Sequence, residues 1–383
     1  MSESSHAGPH QSQAHRVIFI DLARALAVFF MLYGHTVAAL LAPAYQTGTW
    51  FAIWQFQRGL TSSLFMLLGG FAFSIATGRH WGSHVAWSPS LIKRLRRFGL
   101  FVVLGYALHM PVNQIDTLSL VTPEQWRSFL AVDVLQLVGV TFILVQLLVL
   151  VARSRRVFMW LSLAVCVAIV WATPSFWGTD WSLRLPAWMG PYLSPAMGSL
   201  FPLFPWSGYV FLGAGLGQLY SRWGAAHLGT FARWVLLLPG GVLLALAFIS
   251  RVFPYPEFLA NPYGFPPREF VLRAGPCLII MAAIAFASRR ITHLPRVFGA
   301  VAQESLLIYF VHLCIVYGSV WNHGLARFWA GSLGPAATVA CVVGIILSMA
   351  GLAWVWNHWK RTHPRTARSM TWLTGAALLA WLL

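Results

Sequence analysis

Charged residues are scarce in this chain of 383 residues, since Asp, Glu, Lys and Arg together make up only 9%. A soluble domain carries about 25% charged residues. Hydrophobic residues instead reach 58%, and the mean hydropathy is +0.69. This composition excludes a large soluble domain and predicts an all-α polytopic membrane protein.

Acidic residues are especially few, because nine Asp and Glu stand against 26 Lys and Arg, for a net charge of +17. In a soluble chain this excess would suggest a nucleic-acid partner. Here the basic residues crowd particular loops between apolar stretches. Membrane topology therefore explains the charge, and no nucleic-acid partner is expected.

Cysteine is also rare, and the chain has no CxxC pair. The four cysteines all lie inside apolar segments, at Cys166, Cys277, Cys314 and Cys341. Buried thiols without a role in a site fit this pattern better than disulfides or metal ligands. No metal is therefore expected.

Eleven apolar stretches approach or reach the length that crosses a bilayer. They fall at about 17–41, 58–77, 96–110, 130–152, 157–173, 201–221, 232–251, 269–287, 297–321, 333–357 and 370–383. The third and the last are short, so the count is ten or eleven. We expect residues 1–15 to form a disordered cytoplasmic tail and residues 16–383 a single transmembrane domain, with core helices over about 17–321.

The distribution of Lys and Arg predicts the orientation. With the N-terminus in the cytoplasm, the inner side holds 18 of the 26 basic residues and the outer side holds seven. Arg24 lies within the first span. Because the alternation holds across all eleven spans, the sequence predicts a cytoplasmic N-terminus.

The first span, "DLARALAVFFMLYGH" (21–35), carries Asp21, Arg24 and His35. A charged side chain in the middle of a bilayer costs at least about 2.5–3.5 kcal/mol on insertion scales. At about 100° and 1.5 Å per residue, Arg24 and His35 lie about 20° apart on one helix face and roughly 16 Å apart along the axis. Asp21 precedes Arg24 by one helical turn, where an ion pair can form.

Other spans place polar side chains at matching depths. The outer half gathers His35, His312, His109 and Asp133, while the inner half gathers Asp21, Arg24, Glu304 and the basic segment 93–97. This layout predicts a reaction path through the bilayer with an anionic ligand at its inner mouth. The alternative for a single polar residue is an interhelical hydrogen bond, and the alternative for segment 93–97 is a topology signal.

The spacing of Arg24 and His35, with ten residues between them, resembles the R-x10-H pattern of the transmembrane acyltransferase superfamily. Within it, the chain is similar to bacterial membrane proteins related to heparan-α-glucosaminide N-acetyltransferase. Further blocks of that group are matched in the same order by "SSLFMLLGGFAFSIA" (62–76), "DVLQLVG" (133–139), "FPLFPWSGYVFLGAGLG" (201–217) and "ESLLIYFVH" (304–312). The Gly-rich "GAGLG" (213–217) fits close helix packing better than a nucleotide loop.

The resemblance implies transfer of an acetyl or other acyl group from cytosolic acetyl-CoA to a sugar hydroxyl or amine on the far side of the membrane. It implies a catalytic role for His35, and the arginine of the family corresponds to Arg24. The expected partners are membrane lipids, acyl-CoA and a glycan or glycolipid acceptor, with a homo-oligomer as a further possibility. The expected location is a bacterial inner membrane.

On this interpretation, the donor end of the site comprises Asp21, Arg24, Arg94, Arg96, Arg97 and Glu304. The three arginines of segment 93–97 would neutralise the phosphates of acetyl-CoA. Asp133 would hold the second N–H of the His35 imidazole, and His312 is an alternative base or an oxyanion donor. Candidate acceptor-binding residues are His109, Asn113, Trp206 and Tyr309.

Two other classes of function stay open. Intramembrane charges also serve as proton relays in transporters, which often show an inverted repeat between their halves. No such repeat is evident in this sequence. A scaffold whose polar residues only join helices is the third alternative.

Overall fold

The computed structural model describes residues 18–223, 227–252 and 266–382. Apart from one two-stranded hairpin and one isolated bridge, the regular structure over these ranges is helical. This confirms the all-α polytopic prediction. The predicted disordered tail, 1–15, lies outside the described residues.

Fifteen α-helices follow in chain order over the described ranges. They are α1 (Ile18–Leu40), α2 (Gly48–Arg79), α3 (Pro89–Leu108), α4 (Pro123–Leu130), α5 (Val134–Ala152), α6 (Arg155–Trp177), α7 (Leu203–Trp223), α8 (Leu228–Phe231), α9 (Leu238–Val252), α10 (Pro266–Ser288), α11 (Arg296–Gln303), α12 (Ser305–Val316), α13 (Ala326–Trp329), α14 (Pro335–Thr362) and α15 (Pro364–Leu382). A π-helical stretch, Ala232–Leu237, joins α8 to α9. Strands β1 (Gly318–Ser319) and β2 (Asn322–His323) form an antiparallel hairpin after α12.

Each of the eleven predicted spans contains helix. Within the described ranges, seven helical segments are long and apolar enough to cross a membrane, or eight if the bent pair α11–α12 is one crossing. Helices α3, α7 and α15 cover the third, sixth and eleventh predicted spans without meeting the same test. That these three helices cross the membrane stays a prediction, as does the total of ten or eleven membrane crossings.

The ninth predicted span, 297–321, is not one continuous helix. It breaks at Glu304, and α11 and α12 meet there at 77°. Polar side chains from two other helices meet the break: Arg24 of α1 donates to the Ser305 hydroxyl, and Lys360 of α14 pairs with Glu304. The sequence placed Glu304 inside a regular span, whereas these partners stabilise an interruption.

The second span is also longer than predicted. Helix α2 begins at Gly48, ten residues before the predicted start at 58, and ends at Arg79. Arg58 therefore lies within the helix and not in the preceding loop. Trp and Gln residues in its first turns lowered the apparent hydropathy there, although they sustain helical structure.

The apolar core consists of two clusters. One contains Phe98, Phe101 and Tyr209 from α3 and α7, together with residues of α5 and α12. The other contains Phe19 and Phe71, with residues from α7 and α10. Helices α1, α2 and α7 contribute to both clusters, so they connect the two halves of the interior.

Helices α2 and α7 approach closely at glycines. A Cβ on Gly213 would overlap the carbonyl oxygen of Leu67, and one on Gly70 would overlap that of Val210. Gly217 faces Phe71 in the same way. The "GAGLG" segment therefore serves close helix packing, as the sequence predicted.

Replacing Gly213 by alanine should destabilise the protein by about 1–3 kcal/mol, because the added methyl overpacks a backbone contact. The measurement is the thermal unfolding midpoint of the purified protein in detergent. Gly344→Ala is the matched control, since a Cβ at that position meets nothing within 4 Å. Equal midpoints for the two variants would contradict the packing assignment.

Candidate functional site

A cavity of about 620 Å³ lies at one end of the helical bundle. Helices α1, α3 and α12 run towards it with their C-terminal ends, while α2, α5, α7 and α10 begin near it. This arrangement matches the alternation of the predicted crossings. With a cytoplasmic N-terminus, the cavity lies at the outer end.

Two histidines lie side by side at this cavity. His35 of α1 lines it, and its ring centroid is 5.3 Å from that of His312 on α12, at an interplanar angle of 77°. Two ring nitrogens, His35 Nδ1 and His312 Nε2, are buried without a hydrogen-bond partner among the described residues. The matching depths predicted for His35 and His312 are therefore realised as a direct ring contact.

The hydrogen bond of His312 fixes which nitrogen accepts a proton. Its Nδ1 lies 2.8 Å from the carbonyl oxygen of Ile308. Because a carbonyl only accepts, Nδ1 carries the hydrogen, and the neutral ring presents a lone pair at Nε2. Of the two predicted roles for His312, this geometry favours the base over the oxyanion donor.

Asp133 pairs with His109, whereas the sequence predicted contact with His35. Its Oδ2 lies 3.7 Å from His109 Nε2, and its Oδ1 accepts a hydrogen bond from the Val134 amide at the start of α5. No ion pair joins Asp133 to His35 within the described residues. Asp133 is the N-cap of α5, and this role holds its carboxylate beside α3.

The remaining predicted acceptor-side residues divide into two groups. Tyr309 and Trp206 line the cavity, and the Tyr309 ring lies 5.6 Å from that of His312. Arg273 lies over one face of Trp206, at 5.1 Å from its ring centroid. Asn113 is exposed in the loop after α3 and does not line the cavity.

Sequence reasoning missed several polar residues of the cavity, three of which bear on the site. Arg58, Arg273 and Tyr317 line it, and the Tyr317 hydroxyl donates to the His35 carbonyl oxygen at 3.5 Å. Arg273 lies inside the predicted eighth span, so its intramembrane charge was the available signal. Both arginines were counted only as outer-side topology charges.

The predicted inner-end group is partly assembled. Arg24 donates from Nη2 to the Ser305 hydroxyl at 3.1 Å, and it lies within electrostatic range of Asp21 and Arg97. None of the predicted donor-end residues lines the cavity at His35. The two ends of the predicted reaction path are therefore separate sites in this structure.

Arg94, a predicted donor-binding residue, makes several contacts within the protein. Its Nη1 donates to Thr77 at 2.8 Å and to Gln146 at 3.2 Å, and its guanidinium lies 4.3 Å from the Phe73 ring centroid. It joins α2, α3 and α5 instead of facing a ligand. Arg96 and Arg97 are exposed on the same helix.

Glu304 also has protein partners where the sequence predicted donor binding. Lys360 Nζ lies 2.6 Å from Glu304 Oε2, and Asn357 donates to Oε1 at 2.9 Å. The Glu304 side chain is only 6% exposed. Its carboxylate therefore holds the α11–α12 break against α14.

Lys360→Gln should lower the stability of the protein by about 1–3 kcal/mol, because it leaves the buried Glu304 carboxylate without its cation. Thermal unfolding in detergent measures the effect. Lys360→Arg retains the charge and should preserve most of the stability. An unchanged midpoint for Lys360→Gln would show that the pair does not hold the break.

Among the described residues, no group of three or more His, Cys, Asp or Glu side chains is arranged to hold a metal ion. The site is instead a histidine pair and a second His–Asp pair at one end of an apolar helical bundle. These features define an integral membrane protein with a largely apolar cavity into which a few titratable side chains face.

Residues 16–251 match the family described as heparan-alpha-glucosaminide N-acetyltransferase, catalytic. The match covers more than half of the chain, which therefore belongs to this family of membrane N-acetyltransferases. No curated protein matches the chain at a significant level. The matched range contains His35, His109 and Asp133, whereas His312 and Arg273 lie beyond it.

Proposed function

We propose that this protein transfers an acetyl group from acetyl-CoA to a sugar hydroxyl or amine on the outer side of a bacterial inner membrane. The single observation that carries the proposal is the His35–His312 pair, whose rings lie 5.3 Å apart beside the cavity. Family membership supports acetyl transfer as the general reaction. The acceptor is a glycan or glycolipid that enters the cavity.

His35 acts as the general base in this proposal. The acceptor oxygen or nitrogen forms a bond to the carbonyl carbon of the thioester as His35 takes its proton, and the carbon–sulfur bond breaks. The imidazolium then returns the proton to the leaving CoA thiolate, so the histidine is regenerated. A base that is positioned for proton transfer contributes about 10²–10⁴ in rate.

His312 supports this proton transfer from the opposite side. Its Nε2 lone pair is buried next to the His35 ring and is without a partner among the described residues. No hydrogen bond joins the two rings among the described residues, so His312 Nε2 is an open acceptor beside His35 that can receive the proton in turn. If His35 is absent, His312 is the alternative base.

The donor occupies the other end of the same helices. Arg96 and Arg97 are exposed on α3, and Arg97 lies within electrostatic range of Arg24. These guanidinium groups suit the phosphates of acetyl-CoA. The pantetheine arm then extends past Arg24, which brings the thioester to His35.

His35→Ala should reduce acetyl transfer by at least about 100-fold, because it removes the base. The measurement is release of CoA thiol in the presence of a cell-envelope glycan extract. His323→Ala is the matched control, since His323 is exposed at the same end in strand β2. Full activity of a folded His35→Ala variant would show that His35 is not the base and would make His312 the candidate.

The double variant Arg96→Gln/Arg97→Gln should weaken acetyl-CoA binding by about 10–100-fold, as expected for loss of charged hydrogen bonds. Titration calorimetry of the purified protein measures the dissociation constant. The control pair Arg365→Gln/Arg368→Gln removes two exposed arginines of α15 and should leave binding unchanged. Equal effects of the two pairs would place the donor elsewhere.

A transporter is the second candidate function, and the broken helix pair α11–α12 is the observation that favours it. Discontinuous helices form substrate sites in many transporters. Polar contacts from Arg24 and Lys360 hold the break here. Acetyl-CoA binding separates the two functions, because an enzyme of this kind binds it and a transporter of another solute does not.

A further inference from the structure

Two arginines line the cavity without a role in the reaction proposed above. Arg58 comes from the first part of α2, and Arg273 comes from the first part of α10. Cationic side chains within membrane spans are costly and mark ligand or ion sites. Two guanidinium groups converge on this cavity from separate helices, so two unfavourable charge placements occur at one site.

Neither arginine has a carboxylate partner within the described residues. The ion pairs there join Arg268 to Glu269 and Lys360 to Glu304, and His109 forms one with Asp133 only when its imidazole is protonated. Asp133 is the one carboxylate among the described lining residues, and a single carboxylate cannot balance two guanidinium groups. The cavity therefore carries an excess of positive charge that a ligand can balance.

Aromatic rings and a close backbone contact hold the two side chains in place. The guanidinium of Arg58 lies 5.7 Å from the Trp54 ring centroid, and that of Arg273 lies 5.1 Å from the Trp206 centroid. Rings cover guanidinium faces and leave the N–H edges available for oxygen atoms. The Arg58 stem also lies against Gly34, because a Cβ placed on Gly34 would be 3.5 Å from Arg58 Cγ.

This last contact places Arg58 beside the residue that precedes His35 in α1. An anion bound at its N–H edge would therefore lie close to the proposed base. Arg273 enters from a different helix and lies beside Trp206. Together they provide the paired N–H donors that planar or tetrahedral oxyanions prefer.

We propose that the acetyl acceptor is an acidic sugar whose phosphate or carboxylate is bound by Arg58 and Arg273 while a hydroxyl or amine of the same sugar faces His35. This inference rests on the proposed function and names its acceptor class. Neutral sugars lack the anion and bind more weakly than the acidic sugar.

The test is ligand binding to the purified full-length protein in detergent, by thermal shift over a concentration series. Glucose 6-phosphate and glucuronate serve as acidic probes and glucose as the neutral probe. The acidic probes should bind at least about tenfold more tightly than glucose. Equal shifts for all three, including no shift with any, would contradict the proposal.

Variants assign the preference to the two arginines. Arg58→Gln and Arg273→Gln should each reduce binding of the acidic probes by about tenfold and leave glucose binding unchanged. Arg273→Lys retains the charge if loss of the Trp206 contact disturbs folding, and it should retain part of the preference. Arg327→Gln, at an exposed arginine on α13 outside the cavity, should have no effect.

Titration of the same variants with acetyl-CoA separates the two possible sources of the anion. If the arginines serve the acceptor, acetyl-CoA binding is unchanged in Arg58→Gln and Arg273→Gln. If they bind the phosphates of the donor, acetyl-CoA binding falls instead and the acidic-acceptor assignment is wrong. Failure of the unaltered protein to bind acetyl-CoA would count against the proposed function itself, whatever the sugars do.

Discussion

The contact between Arg24 and Ser305, together with the Glu304–Lys360 pair beside it, is the constraint on which the rest of the site depends. These two interactions join α1, the α11–α12 break and α14 within the apolar bundle. A straight ninth helix would present a different face to α1. Because the chain changes direction at Glu304, α12 brings His312 to the side of His35.

The two ends of the bundle have different electrostatic characters. The cavity end combines three histidines, one carboxylate and two arginines that lack acidic partners within the described residues. At the opposite end, most charged groups of the predicted donor site have protein partners, and the exposed arginines of α3 stand apart from them. Intramembrane charge therefore has a structural role at the break, and the proposed function gives it a chemical role at the cavity.

The sequence predicted the fold class and the depth of the outer-end residues because both depend on local quantities, namely hydropathy and position along a helix. His35, His312, His109 and Asp133 accordingly lie near one another. The pairings could not be predicted, because partners such as Asp133 and His109 depend on which helices are neighbours. The partners of Glu304 and Arg94 could not be predicted for the same reason: Lys360 and Gln146 come from helices distant in sequence.

Helix α2 has a mechanical consequence for the molecule. It contributes Arg58 to the cavity and Thr77 to the contact with Arg94, and these residues lie roughly 28 Å apart along its axis at about 1.5 Å per residue. Its glycine contacts with α7 leave little room for bending between them. A rigid tilt of α2 would move Arg58 and Thr77 together, and any coupling of ligand affinity that it carried between the two ends would be reciprocal.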